Sequence, residues 1–200
     1  MQWALLVIIT IILASKVNKL YRNPYKLILI AGEKGNGKSL RVAYLANKHK
    51  GYVYSNMGVG QQLEPDYWSY EYPKGSLLIL DEIGLKHNNR DFKSFPYEAI
   101  EFFKYQRKNQ LYVILTSQTM DFDKKIRDML DYIVVVKRLP GFLNWVSYGF
   151  KYKHNFEVVD TPEGGSRLQD VERRSGLDYI RTIPAMIKGA DYDTERKIDK

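Results

Sequence analysis

The chain has 200 residues, 44% of them hydrophobic, and a formal charge of +8 at pH 7. That length suits one compact domain with appendages, and the composition allows a core of ordinary size. There is no cysteine, which excludes disulfides and thiolate metal sites and fits a reducing compartment. The basic balance favours anionic partners such as nucleic acid, phospholipid headgroups or nucleotide phosphates. A Lys-, Asn- and Tyr-rich genome would produce the same balance with no partner at all.

Trp3 to Ala14 is apolar apart from Thr10, and polar residues begin at Ser15 and Lys16. A spanning helix needs ~20 residues to cross a ~30 Å hydrocarbon core. Met1 to Val17 approaches that length if Lys16 and Lys19 snorkel to the interface of a thinned bilayer. Positive charge follows the run instead of preceding it, unlike a cleaved signal peptide. The positive-inside rule then puts the N-terminus outside and the rest in the cytoplasm. Residues 1–22 are therefore expected to be a single-pass membrane anchor, with a signal peptide or a buried helix as alternatives.

Tyr25 to Ala31 reads as a buried strand stopped by Gly32, and Leu40 to Lys50 as a helix ending at Gly51. Tyr52 to Met57 reads as a second strand. Gly58 to Gly75 reads as loop with at most a short helix. Ser76 to Leu80 is a third strand, ending in Asp81-Glu82, and a polar loop follows from Gly84 to Ser94. Pro96 is expected to open a helix to about Lys108, with Ile100, Phe103 and Arg107 on its inner face. Leu111 to Leu115, Asp123 to Leu130 and Tyr132 to Val136 read as strand, short helix and strand. This alternation predicts an α/β fold with a mostly parallel sheet flanked by helices. Trp145 to Asp160 alternates as antiparallel strands do, with Gly149 as a bend. The remaining residues are polar, with Gly164-Gly165 as a hinge. The expected division is 1–22, 23–139 and 140–200, the last a β-hairpin with an irregular extension.

The strongest motif is Gly32-Glu-Lys-Gly-Asn-Gly-Lys38-Ser39. It matches the P-loop pattern without departure and sits where the mechanism requires, between a strand and a helix. Glycines let successive N–H groups wrap a phosphate, and the helix N-terminus favours negative charge there. Gly32, Gly35, Asn36, Gly37, Lys38, Ser39 and Leu40 are thus the expected nucleotide-binding residues, with Lys38 on an exposed loop reaching the outer phosphates. ATP and Mg2+ are the expected ligands, the metal held by the Ser39 hydroxyl and by Asp81. Asp81 is expected at the tip of a strand beside the P-loop strand, with Glu82 as general base.

Gln118 closes the strand ending Thr116-Ser117 and is placed to sense the γ-phosphate, since strand ends face the ligand crevice. Arg107 is a candidate arginine finger from a neighbouring subunit, with Arg127 and Arg138 as rivals; a helix C-terminus explains it too. His49, His87 and His154 lack ligand spacing, so no metal beyond Mg2+ is expected. The Tyr, Trp and Lys residues between Lys137 and Lys153 suit a half-buried hairpin, or a nucleic-acid or membrane surface.

These motifs in this order resemble the zonular-occludens-toxin-like (Zot) family, which includes assembly ATPases of filamentous phages. The likeness rests on the P-loop, Leu80-Asp81-Glu82-Ile83, Tyr105-Gln-Arg107, Thr116-Ser-Gln118, Asp123, Ile126-Arg127 and Asp131. It spans about Tyr25 to Val136. The resemblance implies an oligomeric inner-membrane ATPase of the additional-strand class that drives virion extrusion. Its partners would be coat protein or a single-stranded DNA–protein complex. In that family the ATPase usually precedes its membrane helix; here the apolar run comes first, which points to a host without an outer membrane. Two other functions compete: a genome-packaging or DNA-translocating ATPase of the FtsK–HerA type, and a nucleotide-binding membrane scaffold with little turnover.

Overall fold

The computed structural model describes residues 2–21, 23–83, 96–118, 124–153, 158–160, 166–168 and 174–190. In chain order the elements are α1 (Gln2–Tyr21), β1 (Leu27–Ala31), α2 (Lys38–Lys48), β2 (Val53–Ser55), β3 (Gln61–Gln62) and β4 (Leu77–Leu80). Then come α3 (Tyr97–Tyr105), β5 (Tyr112–Ser117), α4 (Lys124–Met129), β6 (Tyr132–Arg138), β7 (Val146–Lys153), β8 (Val158–Asp160), β9 (Ser166–Leu168), β10 (Arg174–Thr182) and α5 (Ile183–Lys188). The expected polar loop from Gly84 to Ser94, His87, Asp123, His154 and the Gly164-Gly165 hinge lie outside the described residues.

One sheet organises the domain, in the order β10-β7-β6-β1-β5-β4-β2-β3. From β6 to β3 every pairing is parallel, while β7 runs antiparallel to both β6 and β10. The fold is therefore α/β with a mostly parallel sheet, as expected. The segment after Pro140 joins this same sheet through β7 and β10 instead of forming a separate hairpin, because β7 pairs along the whole of β6 and satisfies its edge N–H and C=O groups. Gly149 is not a bend. It lies within β7, paired with Val136 on one side and Tyr179 on the other.

Strand side chains alternate between two cores, as a period of two requires when both faces are covered. Leu27, Leu29, Leu78, Leu80, Val113 and Leu115 face α3 and α4, which contribute Phe102, Phe103 and Ile126. Ile30, Ile79, Ile114, Val134 and Val136 face α2, which contributes Val42, Ala43 and Ala46. The inner face of α3 differs from the expected one. Ala99, Phe102 and Phe103 are its buried residues, Ile100 is half-buried and Arg107 is exposed beyond its end.

The expected spanning anchor is not supported. α1 is a continuous helix with its apolar side chains exposed from Val7 to Ile9 and from Ile11 to Leu13. Yet the apolar stretch of the sequence, Trp3 to Ala14 with Thr10 inside it, would reach only about 18 Å at 1.5 Å per residue. Among the described residues no helix is long and apolar enough to cross a membrane.

Candidate functional site

The site forms at the carboxyl ends of β1, β4 and β5. The turn leaving β1 bends sharply between strand and helix. Gly32, Gly35 and Gly37 hold φ values of 155°, 83° and 89°, in the region open to glycine. A Cβ on Gly32 would lie 2.5 Å from the Val136 carbonyl oxygen, whereas nothing lies within 4 Å of one on Gly35. The loop is thus clamped at its base on β6 and open above. Asn36 donates its side-chain amide to the same Val136 carbonyl at 3.4 Å. Ser39 and Leu40 follow in the first turn of α2, both half-buried.

Lys38 is not on an exposed loop. It opens α2 and is only 5% exposed, with Nζ donating to the carbonyls of Gly32 at 2.7 Å and Glu33 at 3.2 Å. Burial lowers its pKa, and the Glu82 and Asp81 carboxylates push it back up. A long aliphatic stem folds under the loop in this position, so the charge is delivered from within the domain.

Asp81 does not stand on the strand beside β1. β5 lies between the P-loop strand and β4, the strand that leads into the acids. This insertion brings Thr116 and Gln118 to the acids. The Thr116 hydroxyl donates to Asp81 Oδ1 at 2.5 Å and accepts from the Glu82 N–H at 2.9 Å. Gln118 Nε2 donates to Glu82 Oε1 at 2.9 Å. Burial raises the Asp81 pKa, partly offset by the Thr116 hydrogen bond. Glu82 has a left-handed backbone, φ 54°.

Two features were not singled out from the sequence. Asn56, just past β2, grips the Asp81 peptide: its Oδ1 accepts from the Asp81 N–H at 2.7 Å and its Nδ2 donates to the Asp81 carbonyl at 3.1 Å. The signal available was position, since Asn56 is next to last in the strand expected from Tyr52 to Met57, at the same crevice as Asp81 and Gln118. The second is a buttress. Buried Ser147 on β7 donates its hydroxyl to the Asn36 carbonyl at 3.4 Å and lies 3.3 Å from the Tyr179 hydroxyl of β10.

Arg107 is not brought to this site. Its guanidinium pairs with Asp131, which also takes Lys26 Nζ at 3.2 Å and the Leu27 N–H at 2.8 Å. Leu27 opens β1 and Asp131 precedes β6, so this cluster marks the rim opposite the P-loop. Arg127 is on α4, which precedes β6 on that side of the sheet. Of the three candidate arginines, Arg138 ends β6 on the P-loop rim, exposed to solvent.

The donor set suits a polyphosphate with a hard divalent cation. A buried amine and an open glycine backbone would serve anionic oxygen, while Ser39 and Asp81 offer oxygen ligands of the kind Mg2+ takes alongside its waters. Among the described residues no cluster of three or more His, Cys, Asp or Glu could hold a metal without such help.

Solved structures of similar fold occur among known proteins. The N-terminal domain of zonular occludens toxin from Neisseria meningitidis superposes with a TM-score of 0.51 at 14% identity, covering 74% of this chain and 95% of that one. The genome packaging NTPase B204 of Sulfolobus turreted icosahedral virus 2, solved with ATP-gammaS, gives 0.49 at 14% identity, covering 74% and 98%. The flagellar accessory protein FlaH of Methanocaldococcus jannaschii gives 0.48 at 13%, covering 73% and 90%. No curated protein matches the sequence. A family model described as zonular occludens toxin (Zot) matches residues 54–163, more than half of the 200 residues. With a P-loop at the mouth of β1, paired acids just past β4 and a strand inserted between β1 and β4, the chain belongs to the Zot family.

Proposed function

We propose that this chain is an ATP hydrolase that works as an oligomer at the host's cytoplasmic membrane and drives filamentous phage assembly and extrusion. One observation supports hydrolysis above all: Glu82 is held at 2.9 Å by Gln118 from the inserted strand, close enough to Lys38 to oppose part of the burial that lowers the lysine's pKa. A carboxylate so held accepts a proton from a water at the rim, and Gln118 fixes its orientation. Lys38 and the N–H groups from Gly35 to Leu40 bind the phosphates. Mg2+, held by the Ser39 hydroxyl and by Asp81, would withdraw charge from the phosphate oxygens. Arg138 replaces Arg107 as the arginine offered to a neighbouring subunit, because it stands on the correct rim.

Membership in the Zot family supports extrusion, with coat protein or a single-stranded DNA–protein complex as partner. The exposed apolar side chains of α1 support attachment to a bilayer surface. The charge of +8 supports the second reading, DNA packaging. Glu82→Gln tests the core of the proposal. ATP turnover should fall about 10²–10⁴-fold while ATP binding persists, as for removal of a general base. Unchanged turnover would instead leave a nucleotide-binding scaffold. Stimulation of the unaltered chain by coat protein supports extrusion, and stimulation by duplex DNA supports packaging.

A further inference from the structure

Asp81 lies just past the last residue of β4, where the ladder to β5 ends at Leu80 and that to β2 at Ile79. A peptide leaving a sheet loses its regular partners and is free to turn. Here it is not free. One side chain, Asn56, satisfies both the N–H and the carbonyl of Asp81. Asn56 is itself tied to the sheet, its own N–H donating to the Ile79 carbonyl at 3.4 Å. Across the crevice Thr116 takes the Glu82 N–H and the Asp81 carboxylate. The two acids are therefore gripped from β2 on one side and from β5 on the other.

The grip matters because Glu82 adopts φ 54°. A non-glycine residue in that region is strained and persists only where neighbours over-determine it. Left to relax, the Asp81–Glu82 peptide would rotate toward the extended region and swing the Glu82 side chain off Gln118. We infer that Asn56 is a positioning residue for hydrolysis: by holding the Asp81 peptide it maintains the twist that presents Glu82 to Gln118. This rests on the hydrolytic reading above. Asn56 itself touches no reacting atom.

The test uses the full chain with Asn56→Ala, with Glu82→Gln, and with both, measuring kcat, KM, ATP affinity and melting temperature. Asn56→Ala should lower kcat tenfold or more, with KM and ATP affinity within about threefold. Added to Glu82→Gln it should cost no further turnover, since residues acting through one group are not additive. Asn56→Asp keeps the acceptor for the Asp81 N–H but sets a carboxylate against the Asp81 carbonyl. It should show the same kcat-selective loss, and it serves if the alanine variant does not fold. Unchanged kcat, or equal losses with and without Glu82→Gln, overturns the inference while the hydrolytic reading stands. Full turnover by Glu82→Gln alone overturns both.

Discussion

Lys38 and Asp81 keep charge out of water, and the molecule tolerates a cost for it. Burial raises the Asp81 pKa and lowers that of Lys38. A carboxylate whose folded pKa is raised stabilises the fold below its unfolded pKa and loses that contribution as pH rises through the folded value. At neutral pH ionised Asp81 is therefore a net cost. Asp81→Asn should melt a few degrees above the unaltered chain at pH 7 while losing turnover. The gap should close as pH falls below the ordinary carboxylate range, which melting curves across pH will check. Arg107→Ala should do the reverse: a lower melting temperature, because the half-exposed guanidinium supports the buried Asp131 carboxylate, with kcat within about twofold. The P-loop, Asp81, Glu82 and Gln118 were legible in the sequence because motif spacing and strand ends specify them. Arg107 was not, since an arginine after a helix reads alike whichever rim that helix faces. Asn56 was not, because one amide near the end of an expected strand has no spacing to mark it.

The parallel strands and their helices follow from hydrophobic periodicity, and their observed limits differ from the expected ones by only a few residues. What periodicity does not encode is order across the sheet. β5 enters between β1 and β4 only because its crossover through α3 packs there. The insertion converts Thr116 from a strand end into a partner of both acids. Gly149 shows the same limit: from sequence it reads as a bend, yet β7 passes straight through it. A Cβ there would lie 2.4 Å from Tyr179 Cε1 and 2.8 Å from Val134 Cγ1, so glycine makes room for the Tyr179 ring. Arg41 stacks on that ring at 4.0 Å, and its hydroxyl leads through Ser147 to the P-loop. Gly149→Ala should therefore lower stability by about 1–3 kcal/mol by overpacking. It should also weaken ATP binding, as paired denaturation and titration will show.

At the scale of the whole molecule, a sheet extended at one edge by β7 and β10 presents its acids, its P-loop and Arg138 along one rim. α1 stands apart chemically, with exposed apolar side chains that water disfavours. The proposed function sets that surface against a bilayer and couples it to nucleotide hydrolysis. Everything in it depends on the turn after β1 seating a triphosphate. Titration of the purified chain with ATP and Mg2+ should show saturable binding below about 1 mM, within the range usual for enzyme substrates. Lys38→Ala should weaken it at least about tenfold, the loss of one charge-assisted contact. No binding by the unaltered chain at millimolar ATP would contradict the account at its root.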